Sequence, residues 1–109
     1  MLEVLLAGKI KEQILFYLFT RSEGHAREIA RTFAGHPTAF IRQLKKLEKG
    51  EVLISRLKGR TRLYSFNPRY PFQAELEALL AKALSFIPTK EREKYYTPRL
   101  RPRRAGKPL

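Results

Sequence analysis

Pro37-Thr38-Ala39-Phe40-Ile41-Arg42-Gln43-Leu44-Lys45-Lys46-Leu47-Glu48-Lys49-Gly50 is the stretch on which the fold turns. Phe40, Leu44 and Leu47 recur at helical spacing and form one apolar stripe. Pro37 suits the first helical position, where its missing N–H costs nothing, with His36 in the capping position before it. Lys49 and Gly50 end the helix. With the apolar stripe turned inward, Thr38, Ala39, Arg42, Gln43, Lys45, Lys46 and Lys49 lie on or near the outer face.

Working outward, Ala26, Ile29, Ala30 and Phe33 predict a short helix that stops at Gly35, so that only three residues separate Phe33 from the next start at Pro37. Ile10, Ile14 and Leu18, widened by Leu15 and Phe19, predict a mostly buried first helix from Lys9 to about Phe19, followed by a polar break over Arg21, Ser22, Glu23 and Gly24. Two short helices joined by a tight glycine-containing turn, the second with a basic outer face, make a helix-turn-helix pattern. On the other side, Val52 to Leu57 is a β-branched-rich run, Lys58-Gly59-Arg60-Thr61 supplies a turn, and Arg62, Tyr64 and Phe66 alternate with Leu63 and Ser65. That predicts a two-stranded hairpin with a basic tip, a wing. Pro71 opens a fourth helix through Phe72, Leu76, Leu79, Leu80, Ala83, Leu84 and Ile87, and Pro88 closes it. The expected class is mostly α with a small β-hairpin: a domain over residues 1–87 with a C-terminal dimerisation helix at 71–87, then a basic Pro/Arg-rich tail at 88–109.

The charge is placed rather than spread. Residues 42–69 hold nine Lys/Arg against two Glu, and residues 88–109 hold eight against two, so these blocks carry nearly all of the net +13. Aligned cations gain affinity for a duplex by displacing condensed counterions, so a polyanion is the first partner to consider. Several other classes fall away. Without cysteine there is no disulfide framework, thiolate nucleophile or Cys-ligated zinc. His25 and His36 have no carboxylate cluster nearby and read as packing or capping residues, so neither metal nor cofactor is expected. The carboxylates are scattered singly and no Gly-rich phosphate loop occurs, which argues against an enzyme. Leu2, Val4, Leu5 and Leu6 end at Gly8 and Lys9, too short for a signal peptide or membrane span. The chain reads as a cytoplasmic protein.

The run from Arg27 to Pro68 resembles the winged-helix transcription regulators of the arsenical-resistance-repressor (ArsR-like) type. The resemblance is carried by Arg27-Glu28-Ile29-Ala30, by Pro37 through Glu48, by Leu53-Ile54-Ser55-Arg56, by Gly59-Arg60-Thr61-Arg62-Leu63-Tyr64 and by Asn67-Pro68. With Gly8-Lys9 and the helix from Pro71-Phe72 to Leu80, it is also similar to helix-turn-helix modules found beside small nucleotidyltransferases, although no nucleotidyltransferase segment is present. The resemblance implies a winged helix that binds DNA and regulates transcription. His36 stands where such proteins usually carry a Ser or Thr cap, and Gly50 lies one residue earlier than their usual glycine. The Cys, His and carboxylate sets of the metal-sensing members are missing, so metal sensing is not implied.

A homodimer follows as an expectation, built from the first and fourth helices because the fourth carries more apolar surface than one small core needs. Two recognition helices would then meet successive major grooves about 34 Å apart. Arg42 suits guanine, Gln43 adenine, and Thr38 and Ala39 a thymine methyl or a phosphate. Lys45, Lys46 and Lys49 suit phosphates. Arg60, flanked by Lys58 and Arg62, suits a narrow minor groove, with Arg56 and Arg69 as weaker phosphate contacts. Tyr64 and Phe66 read as core rather than as stacking platforms. In the tail, Arg99-Leu100-Arg101-Pro102 is like the heart of an AT-hook with Leu100 in place of its glycine; Arg99, Arg101, Arg103 and Arg104 are expected on phosphates. Tyr95 and Tyr96 offer the tail an anchor on a partner subunit. Two rivals stand beside duplex DNA as the target: an RNA-binding winged helix, and an antitoxin-like module that binds an unknown protein partner.

Overall fold

A computed structural model of the chain describes residues 1–96. Its elements are α1 (Glu3–Leu6), α2 (Lys9–Arg21), β1 (Glu23–Gly24), α3 (Ala26–Thr32), α4 (Pro37–Lys49), β2 (Leu53–Lys58), β3 (Thr61–Phe66), α5 (Gln73–Leu84) and α6 (Thr89–Tyr95). The class is the expected one, mostly helical with a small antiparallel sheet. The sheet has three strands rather than two, in the order β1-β3-β2, because Glu23 and Gly24 of the polar break pair with Ser65 and Tyr64. Gly24 fits there for lack of a side chain: a Cβ would stand 2.7 Å from the Tyr17 ring.

Helix α2 is the centre of the molecule. Ile14, Tyr17 and Leu18 pack with Ile29, Ala30, Phe40, Leu44, Leu53 and Tyr64, which fixes the helix-turn-helix on the root of the wing. Leu15 and Phe16, on its other side, pack with Leu80, Ala83, Ile87 and Tyr96. All five residues from Ile14 to Leu18 are buried within their own chain, so the expected use of this helix as a dimer surface is corrected: its apolar stripe is already covered. Exposed apolar groups lie instead at Val4 and Leu5 of α1 and at Phe72 and Phe86 on either side of α5, besides Met1, Ile41 of α4 and Ile54 and Leu57 of the wing.

The expected tail starts too early. Pro88 does not end the ordered chain but stands at the N-cap of α6, with Glu91 in its first turn and Lys94 in its last, a charge order that favours the helix dipole. Tyr96 is buried against Phe16 at 5.2 Å between ring centroids, and Tyr95 stacks on Phe33 at 5.1 Å. The two rings therefore anchor α6 on this chain's own core, where a partner subunit was expected. Arg99, Arg101, Arg103 and Arg104 lie outside the described residues.

Candidate nucleic-acid interface

Helix α4 runs from Pro37 to Lys49 as its punctuation predicts, with Pro37 at the first position and His36 making no side-chain cap bond. His25 does cap: its Nδ1 accepts from the Glu28 N–H at 3.3 Å. Phe40 and Leu44 are buried and Leu47 half-buried, which aims the opposite face at solvent. Thr38, Arg42, Lys45 and Lys49 recur there at i, i+4, i+7 and i+11 and are exposed, with exposed Lys46 beside them. Ala39 and Gln43 lie half-buried on one flank. Among the described residues none of Arg42, Lys45, Lys46 and Lys49 has a carboxylate within ion-pair distance. The first turn carries no acid and the last turn carries Lys46 and Lys49, so both ends of the helix suit an external anion or the helix's own dipole.

Beyond α4 the expected glycine position is taken by Glu51, whose φ of +68° puts a non-glycine residue in the left-handed region. The chain still turns cleanly, because the Val52 N–H donates to the Leu47 carbonyl at 3.0 Å and the Asn67 amide donates to the Glu51 carbonyl at 2.9 Å. The wing follows. Its strands pair from Leu53↔Phe66 to Lys58↔Thr61, and only Gly59 and Arg60 lie between them. Gly59 adopts φ +65° with open space around it. Tyr64 is core, as expected, and Phe66 is partly buried against the same cluster. Burial pushes the Tyr64 hydroxyl up, with the Glu48 carboxylate adding to the shift and Arg62 opposing it.

The wing cations divide into two kinds. Lys58 and Arg60 are exposed at the tip with no ion-pair partner among the described residues. Arg56 and Arg62 are engaged within the chain. The Arg56 guanidinium meets Glu23 at 3.0 Å across the outer face of the sheet. Arg62 Nη1 donates to Ser55 Oγ at 2.8 Å, and Ser55 Oγ donates to Glu48 Oε2 at 2.7 Å. Two cations were overlooked in the sequence. Arg27 and Arg31 sit one turn apart and exposed on α3, the helix that precedes the recognition helix in this motif. Their i, i+4 spacing outside the apolar positions Ala26, Ile29 and Ala30 was the available signal.

Among the described residues no three His, Asp or Glu side chains gather as a metal site, and no helix is long and apolar enough to cross a membrane. No protein-family model matches the chain, and no curated protein matches it. Solved structures do. A MepR-like protein, crystallised with pseudoligands, superposes with a TM-score of 0.57 at 17% identity, over 84% of this chain and 70% of that one. A mutant of Lactococcus lactis ZitR in its apo form gives 0.54 at 22% identity, over 76% of this chain and 71% of that one. At such identities the likeness is one of architecture: the chain has the winged helix-turn-helix fold found in transcription regulators.

Proposed function

We propose that this chain is a sequence-specific duplex-DNA-binding transcription regulator, with α4 in the major groove and the wing tip on the minor groove or the adjacent backbone. The observation that carries this is the row Thr38, Arg42, Lys45 and Lys49: exposed, without an ion-pair partner among the described residues, and on the outward face of the second helix of a helix-turn-helix. Arg42, Gln43, Thr38 and Ala39 read base edges; Lys45, Lys46 and Lys49 hold phosphates. Lys58 and Arg60 contact the narrow groove, while Arg56 and Arg62, already bonded inside the chain, contribute less to DNA directly. Arg27 and Arg31 extend the phosphate contacts onto α3. The tail cations Arg99, Arg101, Arg103 and Arg104 add sequence-independent affinity.

Val4 and Leu5 with Phe72 and Phe86 support a homodimer formed through α1 and α5, which we place in the cytoplasm. The ArsR-like affiliation rests on the resemblance between Arg27 and Pro68. Selection from a random duplex library with the full chain tests the function, with structured RNA present at equal phosphate as competitor. Recovery of a duplex motif, roughly palindromic, supports it; no enriched motif, or capture by the RNA, overturns it.

A further inference from the structure

Helix α4 carries one carboxylate, Glu48, among four cations and neutral groups, on an element proposed to approach phosphates. An acid there opposes binding unless something else uses it. Its carboxylate does not face solvent alone: Oε2 accepts from Ser55 Oγ at 2.7 Å, and that hydroxyl in turn accepts from Arg62 Nη1 at 2.8 Å. The direction is fixed, because a guanidinium only donates and a carboxylate only accepts, so the hydroxyl proton must point at Glu48. One acid on α4 is thereby linked, through the Ser55 hydroxyl, to both strands of the wing. Charge-assisted hydrogen bonds of this kind are the strong ones.

The position of this chain of bonds matters as much as its strength. On the inner face of the hairpin Leu53 and Tyr64 are buried, and on the outer face Leu63, whereas Leu57, Lys58, Gly59, Arg60 and Thr61 are all exposed. Ser55, paired with Tyr64, is therefore the last rung at which the inner face of the hairpin touches the body. Beyond it the inner face makes no further side-chain bond to the body among the described residues; on the outer face the next rung, Arg56↔Leu63, is tied to Glu23. At about 3.3 Å per residue, the four or five residues from Ser55 to Arg60 make a lever of about 15 Å, so a tilt of about 10° at the rung moves the tip by about 3 Å. That exceeds the tolerance of a hydrogen bond.

Resting on the DNA-binding assignment above, we infer that Glu48, Ser55 and Arg62 form a strut that sets the angle of the wing against the recognition helix, with Glu48 a positioning residue through which the wing's sequence preference is determined. Arg62 then acts through Ser55 rather than on DNA. The outer face has its own, more exposed tie in the Arg56–Glu23 pair, which steadies the sheet against β1 but makes no bond to α4.

The experiment uses the full chain and the duplex recovered by selection, with base preferences measured position by position under α4 and under the wing. Ser55→Ala and Glu48→Ala should each flatten the preference under the wing by about three- to tenfold and leave the preference under α4 in place; Ser55→Thr, which keeps the hydroxyl on a β-branched residue, should restore it. A residue that served only folding would lower the melting temperature without this positional split. Unchanged preference under the wing in both alanine variants, an equal loss under α4, or failure of Ser55→Thr to restore it would overturn the strut. A wild-type chain that selects no duplex would remove the DNA-binding assignment, and the strut's role with it, before any variant was compared.

Discussion

Gly35 is the position where one methyl group should do the most damage. It lies in the turn between α3 and α4, and its φ is outside the left-handed region, so alanine is tolerated by the backbone. Space is the difficulty: a Cβ at residue 35 would stand 2.5 Å from Phe40 Cε1 and 3.4 Å from Cζ. The ring cannot swing aside, because Phe40 is 2% exposed and Phe33 is stacked on it at 6.2 Å between centroids and 7° between planes. Overpacking of this kind costs about 1–3 kcal/mol. Gly→Ala also stiffens the unfolded chain, which returns about 0.4–1 kcal/mol. The net loss for Gly35→Ala is then about 1–2 kcal/mol, or a fall in melting temperature of about 4–16 °C for a domain of this size.

Thermal and urea unfolding measure the effect, with Gly50→Ala as the comparison. Gly50 has φ −81° and its Cβ would meet nothing nearer than the Lys46 carbonyl at 3.5 Å, so that change should be neutral or slightly stabilising. Phe40→Leu should relieve part of the Gly35→Ala loss, so that the double variant is less destabilised than the two single losses added together. A Gly35→Ala melting temperature equal to or above that of the wild type would refute the packing argument.

Arg42→Ala should relax preference at one base position by about 1–3 kcal/mol, whereas Lys46→Ala should weaken all duplexes alike and lower the salt slope by about 1; the same result for both in binding titrations would mean that the reading face is misassigned. Ending the chain after Tyr96 removes five Lys/Arg and no acid, so a plot of log affinity against log salt should flatten by up to about 4 with the melting temperature kept. Ending it after Pro88 should also lower the melting temperature, because the Tyr96 ring leaves Phe16 uncovered. An unchanged slope would deny the tail a role. Burial pushes the hydroxyls of Tyr17, Tyr64 and Tyr96 up. The unfolded chain therefore releases these protons first above about pH 10, and stability should fall as pH rises past that point while being fully present below it. Urea midpoints that stay level between about pH 9 and 11 would contradict this.

What was legible in the sequence was whatever local chemistry decides. Helix α4 could be bounded to the residue because Pro37 and Gly50 punctuate it. The wing could be placed because alternation and a glycine turn are short-range signals. What was missed depends on partners far along the chain. Strand β1 is two residues whose only qualification is that Gly24 lets Tyr17 pass beneath and that β3 lies beside it. Helix α6 was hidden because Lys90, Glu91, Arg92, Glu93 and Lys94 look like a charge run; its order depends on Tyr95 and Tyr96 reaching Phe33 and Phe16. At the interface, residue type gave the cations but not their partners. Nothing local distinguishes Arg60, which has none among the described residues, from Arg62, which is bonded to Ser55.

The central claim is that α4 reads sequence rather than merely attracting phosphate. Titration of the selected duplex and of a scrambled duplex of equal length, at about 150 mM salt, tests it most directly. A reader of base edges should bind the selected duplex about a thousandfold or more tightly than the scrambled one. Equal affinities for the two would contradict it.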